Sequence, residues 1–140
     1  MKRMTSDTGN VIVEFIGITV ALLIPLSFIS NSCIQVANAY RSTEASARTA
    51  ARAFVVSSSD SKGYYAAKSV VGVVSDDFES QNSEITTTIS CTKDPCLLPG
   101  GFVTVKVSKA VNLNLPSALG ARSVVVAAQH TSVVDEMRVP

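Results

Sequence analysis

The sequence predicts an α+β protein: an N-terminal transmembrane helix continues into a long stalk helix and then into a small domain. Three observations indicate this. An apolar run of membrane-spanning length begins at Val11, a helical hydrophobic period appears after residue 60, and a period of two follows residue 84. The last two patterns predict one helix packed on an antiparallel sheet of about three strands.

The first element is the membrane helix. Val11–Ile29 has 19 residues, 14 of them apolar, close to the roughly 20 that cross a hydrocarbon core. Lys2 and Arg3 precede this run, and no basic residue follows it before Arg41. Because basic flanking residues stay in the cytoplasm, this asymmetry predicts a cytoplasmic N-terminus and a domain outside the membrane.

Glu14 is the one charged residue of the apolar run. A carboxylate at mid-bilayer costs about 2.5–3.5 kcal/mol, and less near the edge. Such a residue usually has a partner and a function. The alternative is that Glu14 simply reaches the membrane surface.

Residues 31–56 are polar and alanine-rich and contain neither proline nor glycine. Their apolar residues recur at spacings of three, four and seven, which predicts that the helix continues outward as a stalk. Three arginines of this segment are predicted to form a solvated face, or else to contact lipid head groups or a partner subunit: Arg41, Arg48 and Arg52.

The serine-rich stretch 57–61 ends the stalk and is a plausible start for the next helix, since Ser and Asp favour N-caps. The second helix carries a stripe at spacings of three and four that we expect to pack on the sheet: Tyr64, Ala67, Val71, Val74 and Phe78. Strands are predicted at 85–91, at 103–107 with an extension toward Leu115, and at 123–135.

The chain has three cysteines, which suits an exported protein with one disulfide. Cys91 and Cys96 flank a short loop that contains Pro95, and we predict that they are bonded. Two free thiols or a pair of metal ligands are the alternatives, although a zinc site needs about four ligands. Cys33 then remains unpaired near the outer membrane face.

The junction Gly9-Asn10-Val11-Ile12-Val13-Glu14-Phe15 resembles the processing site of a type IV pilin precursor. The Glu14-Phe15 pair most resembles the Tad (tight adherence, Flp pilus) branch and its TadE-like pseudopilins. The alanine- and arginine-rich run 47–53 is similar to the segment that follows the membrane helix in TadE proteins. The final strand ending at 137–139 is also similar to that family's C-terminal end.

The resemblance implies a leader peptide (1–9), a transmembrane helix (10–30), a stalk helix (31–56) and an extracytoplasmic, pilin-like domain (57–140). A membrane prepilin peptidase would cut between Gly9 and Asn10, with Glu14 and Phe15 as recognition and assembly residues. Glu14 would then attract the freed Asn10 amine of a neighbouring subunit. The implied partners are other pilins and pseudopilins, assembly-platform proteins of the bacterial cytoplasmic membrane, and membrane lipid.

No catalytic set, phosphate-binding loop or metal cluster stands out, so we expect no enzyme activity, no cofactor and no small-molecule substrate. The net charge is +1, and loss of residues 1–9 would leave ten basic and ten acidic residues, which argues against nucleic-acid binding. The competing interpretation is a secreted or membrane-anchored binding module whose signal peptide is cleaved after Ala39, at Ala37-Asn38-Ala39. An anchored enzyme is a third, less favoured class.

Overall fold

The computed structural model describes residues 8–77, 85–113 and 123–138. Two helices, α1 (Thr8–Val56) and α2 (Asp60–Asp77), precede three strands, β1 (Ile85–Cys91), β2 (Phe102–Asn112) and β3 (Ser123–Val133). The predicted α+β class is confirmed, with a long N-terminal apolar helix, a second helix and an antiparallel sheet packed on a helix.

The sheet is antiparallel, with β2 between β1 and β3. Cys91 pairs with Val103 near one end, and Asn112 pairs with Ser123 at the other. Side chains alternate between the two faces of a strand, and the inward positions of β2 are buried: Val103, Val105, Val107, Lys109 and Val111. This confirms the predicted period of two. Leu115, in the predicted extension of β2, lies outside the described residues.

The second half of α1 lies against the inner face of the sheet. Four of its residues are completely buried in the main core with the β2 valines: Ala47, Ala50, Ala51 and Phe54. Because alanine side chains are short, the helix approaches the sheet closely and Phe54 fills the remaining space. Three arginines of the same segment are exposed, which fits both a solvated face and contact with lipid or a partner subunit: Arg41, Arg48 and Arg52.

The position of α2 differs from the expectation. Ala67 and Val71 are buried as predicted, but α2 packs chiefly against α1 and contacts β1 among the described strands. The reason is that α1 already covers β2 and β3, which leaves α2 the place beside it. The helices approach at Gly63, where a Cβ atom would lie 3.1 Å from the Phe54 ring. Phe78, the last residue of the predicted stripe, lies outside the described residues.

A smaller apolar cluster closes the other end of the sheet, where β2 ends and β3 begins. Ala39, Val111 and Val126 are buried in it, and Val36 and Leu113 pack against them. The sheet thus meets α1 at the level of Val36 to Ala39. The part of α1 that precedes these residues projects away from the domain.

Candidate processing and assembly site

The predicted cleavage point lies in the first turn of α1. The helix begins at Thr8, so the bond between Gly9 and Asn10 has helical backbone. The first four amide groups of a helix have no acceptor within it, and helix ends fray. Opening this turn for a peptidase therefore costs less than opening a turn in the helix interior. Lys2 and Arg3, the predicted topology residues, lie outside the described residues.

Glu14 and Phe15 lie in the second turn of α1, and both are exposed. In the described part of the chain, the Glu14 carboxylate has no hydrogen bond and no ion pair. Asn10 precedes it by four residues, about 6 Å along the helix axis. A chain that began at Asn10 would place Glu14 just beyond the first helical turn, about 6 Å from the new terminal amine along the axis.

The surface of α1 around Glu14 is apolar. From Val11 to Ile29 every side chain except Thr19 is exposed. Two hydroxyl groups of this stretch, and that of Ser30 just beyond it, donate to carbonyl oxygens of the preceding turn: Thr19 to Phe15 (2.8 Å), Ser27 to Ile24 (2.7 Å) and Ser30 to Leu26 (2.9 Å). These hydroxyls therefore need no water, as a lipid environment requires. Among the described residues, α1 is the helix long and apolar enough to cross a membrane, which is consistent with a membrane anchor or a signal sequence.

The predicted disulfide is present. Cys91 and Cys96 are bonded with an S–S distance of 2.08 Å, at the point where β1 passes into the loop before β2. Cys33 is free and exposed on α1. The bond closes a loop at the end of the sheet farthest from the apolar part of α1.

Asp60 holds this disulfide loop on the rest of the domain. Its carboxylate accepts hydrogen bonds from the amide of Cys96 (2.9 Å) and from the amide of Leu97 (3.2 Å). The sequence predicts Asp60 as part of a helix start, and α2 does begin there, with Ser59 Oγ accepting from the Lys62 amide at 3.4 Å. Cys96 and Leu97 follow Asp60 by 36 and 37 positions, and nothing in the sequence indicates this contact.

Arg138 has a similar long-range role at the end of α1. Its Nη1 atom donates to the carbonyl oxygen of Val55 at 2.9 Å, and its Nη2 atom donates to that of Ser57. The last carbonyl groups of a helix lack partners within it, and a cation near them is favourable. The C-terminal segment is also joined to the sheet, since the amide of Val134 donates to the Gly101 carbonyl at 2.8 Å. Arg138 therefore fastens the C-terminal segment to the turn between α1 and α2.

No group of three or more His, Cys, Asp or Glu side chains that could hold a metal ion occurs within 8–77, 85–113 and 123–138. The chain matches no protein-family model, no curated protein and no solved structure. Its architecture resembles that of pilins in shape: a long apolar N-terminal helix whose second half packs on a small antiparallel sheet. The chain therefore combines an N-terminal apolar helix, of the kind found in membrane anchors and signal sequences, with a small disulfide-bonded domain.

Proposed function

We propose that this chain is a TadE-like pseudopilin, a structural and non-enzymatic component of Tad (Flp) pilus assembly. A prepilin peptidase would remove residues 1–9, and the mature protein would cross the bacterial cytoplasmic membrane once with its domain outside. The observation that carries the proposal is Glu14, a carboxylate without a partner among the described residues, on the exposed apolar surface of α1 and five residues after Gly9.

The surroundings of Glu14 explain why it needs a partner from another chain. The hydroxyl groups of the apolar stretch form hydrogen bonds to carbonyl oxygens of the same helix, whereas the Glu14 carboxylate forms none with the described residues. A charge in a low-dielectric environment attracts an opposite charge far more strongly than in water. The freed Asn10 amine of a neighbouring subunit, displaced by about one helical turn or 6 Å, would lie at the level of Glu14. Such a buried pair adds little net stability but can fix the register between subunits.

The competing function is a secreted or anchored binding module with cleavage after Ala39. Ala39 lies inside the continuous helix α1, is only 8% exposed, and packs against Val111 and Val126. Loss of residues 1–39 would also remove Val36 from this cluster and expose the end of the sheet. This packing favours an anchor that remains attached to the domain.

The mature N-terminus separates the two functions. Intact-mass measurement of the protein purified from membranes of its own host should give a chain that begins at Asn10. Gly9→Leu should leave the uncut precursor, because a side chain at this position obstructs the extended backbone that a peptidase binds. Gly17→Leu is the matched control, since nothing lies within 4 Å of a Cβ there, and it should be cut normally. A chain beginning at Tyr40, or normal cutting of Gly9→Leu, would contradict the proposal.

A second experiment tests the assembly role. Glu14→Gln keeps the size of the side chain and removes its charge, while the cleavage bond and the domain are unchanged. The variant should be cut and folded normally but should no longer co-purify with pilins, and surface piliation should fall. Glu44→Gln is the matched control, because Glu44 is exposed on the same helix well beyond the apolar stretch. Equal assembly of Glu14→Gln and Glu44→Gln would show that the charge of Glu14 has no role in assembly.

A further inference from the structure

An apolar groove lies between α1 and the end of the sheet. Its volume is about 490 Å³, within the range of small-molecule sites. Cys33, Val36 and Ala37 of α1 form one wall, and Leu113 and Val126 form the other. Among the described residues, no charged side chain lines it.

The groove continues the apolar surface of the membrane helix. A stripe of α1 at spacings of four and three runs from the apolar stretch into the groove: Leu22, Leu26, Ile29, Cys33, Val36 and Tyr40. These residues share one helix face because 3.6 residues make a turn. All are exposed except Val36, which is half-buried. The apolar face of α1 is therefore continuous from the membrane helix into the groove.

The lower end of the groove lies at the level of the lipid head groups. If the hydrocarbon core ends at Ile29, Cys33 lies about 6 Å beyond it, within the head-group layer of roughly 5–8 Å. Ala37 lies about 12 Å beyond Ile29, at the upper part of the groove. Tyr40, which also lines the groove, lies about 16 Å beyond Ile29 and therefore above the head-group layer.

A protein partner fits the groove less well. The described wall of the groove is almost entirely apolar and offers a protein partner few groups for the hydrogen bonds that interfaces usually contain. Ser32, on the groove wall, already donates its hydroxyl to the carbonyl of Phe28 at 2.8 Å. We infer that the groove binds an acyl chain of a membrane phospholipid and so seats the domain on the membrane. This inference rests on the membrane anchorage in the proposed function.

The test uses tryptophan as a probe, because the chain contains none. Ala37→Trp places the probe in the groove, and Asn38→Trp places it at nearly the same height on an exposed position that does not line the groove. Each full-length variant is reconstituted into phosphatidylcholine vesicles with brominated or ordinary acyl chains, and tryptophan emission is compared. Leu113→Trp places a second probe on the opposite wall of the groove. Agreement between the two probes shows that the result does not come from a local disturbance by one substitution.

We expect brominated lipid to quench Ala37→Trp and Leu113→Trp strongly and Asn38→Trp little. Equal quenching of Ala37→Trp and Asn38→Trp would overturn the inference, because lipid would then surround the helix without preference for the groove. Absence of quenching in both groove variants would also overturn it. A third result would also overturn the inference: a groove tryptophan that is shielded from water but not quenched, and that loses this shielding when the protein is diluted in lipid. A second copy of the chain would then fill the groove.

Alkaline extraction of the same vesicles separates failure of the membrane anchor from failure of the groove. If the protein is released, the membrane anchor itself is wrong, and the lipid groove is wrong with it. If the protein stays in the membrane while Ala37→Trp is unquenched, only the inference about the groove is wrong.

Discussion

Two glycines of α2 offer a test of how α1 and α2 pack. Gly63 faces Phe54, where a Cβ atom would lie 3.1 Å from two ring carbons, whereas no atom of the described residues lies within 4 Å of a Cβ at Gly72. Alanine is favoured over glycine in a helix interior by about 0.8–1.0 kcal/mol. Gly72→Ala should therefore raise the free energy of unfolding by up to about 1 kcal/mol.

The same substitution at Gly63 should not stabilise the domain. Carbon atoms pack best at about 3.5–4.0 Å, so the new methyl group overlaps the ring by roughly 0.5 Å. Phe54 is fully buried and meets Tyr64 edge-on with ring centroids 5.1 Å apart, so it has no free space to enter. Overpacking of this kind costs about 1–3 kcal/mol and outweighs the gain in helix propensity. Gly63→Ala should therefore be less stable than Gly72→Ala by about 1–3 kcal/mol.

The measurement is urea unfolding of the full-length protein in detergent micelles, followed by pulse proteolysis. Proteolysis is preferable to circular dichroism, because the apolar part of α1 stays helical in a micelle after the domain unfolds. Gly63→Ala in a Phe54→Leu background supplies the coupling energy, which should be clearly different from zero for residues in contact. Equal stabilisation by Gly63→Ala and Gly72→Ala would refute the close approach of the two helices.

Three further predictions concern the domain. Asp60→Asn should speed hydrogen exchange at the amides of Cys96 and Leu97, because the Asp60 carboxylate accepts a hydrogen bond from each. The same substitution should lower the free energy of unfolding by about 1–2 kcal/mol. Unchanged exchange at the two amides would contradict this prediction. Arg138→Gln should lower the free energy of unfolding by about 1–2 kcal/mol, since the carbonyl groups of Val55 and Ser57 lose a cationic donor. A variant as stable as wild type in urea would contradict the stabilising role of Arg138. Alkylation of the unreduced, urea-unfolded protein should modify Cys33 alone, because the other two cysteines are bonded; three modified thiols per chain would contradict the disulfide.

Asp60 and Arg138 stabilise the same end of this small domain. Both act on the end of the sheet that carries the disulfide, where α1 ends and α2 begins. A disulfide loop of six residues stabilises by about 2 kcal/mol in the chain-entropy model, a modest amount. The hydrogen bonds of Asp60 attach that loop to α2, so the bond and the carboxylate act on one structural unit. Combining Asp60→Asn with removal of the disulfide should therefore be less than additive.

Several features of this protein follow from the amino-acid sequence alone. The apolar run, the break after Val56, the three strands and the Cys91–Cys96 bond were all predicted and are all present. The physical reason is that each depends on local patterns: hydrophobic period, turn residues, and two cysteines close in the chain. The junction at Gly9 is local in the same sense, and its role in processing stays a prediction.

The tertiary structure decided the rest. Sequence periodicity shows that a helix has an apolar face but not which element covers that face. The apolar stripe of α2 was therefore expected to pack on the sheet. In the structure α1 covers the sheet, and α2 packs chiefly against α1. Asp60 and Arg138 bind groups 36 to 83 residues away, and nothing near them in the chain indicates those partners. The groove beside Cys33 exists because β2 ends level with Val36. Contacts between distant segments depend on how the helices and sheet pack together, and that packing is a property of the whole fold.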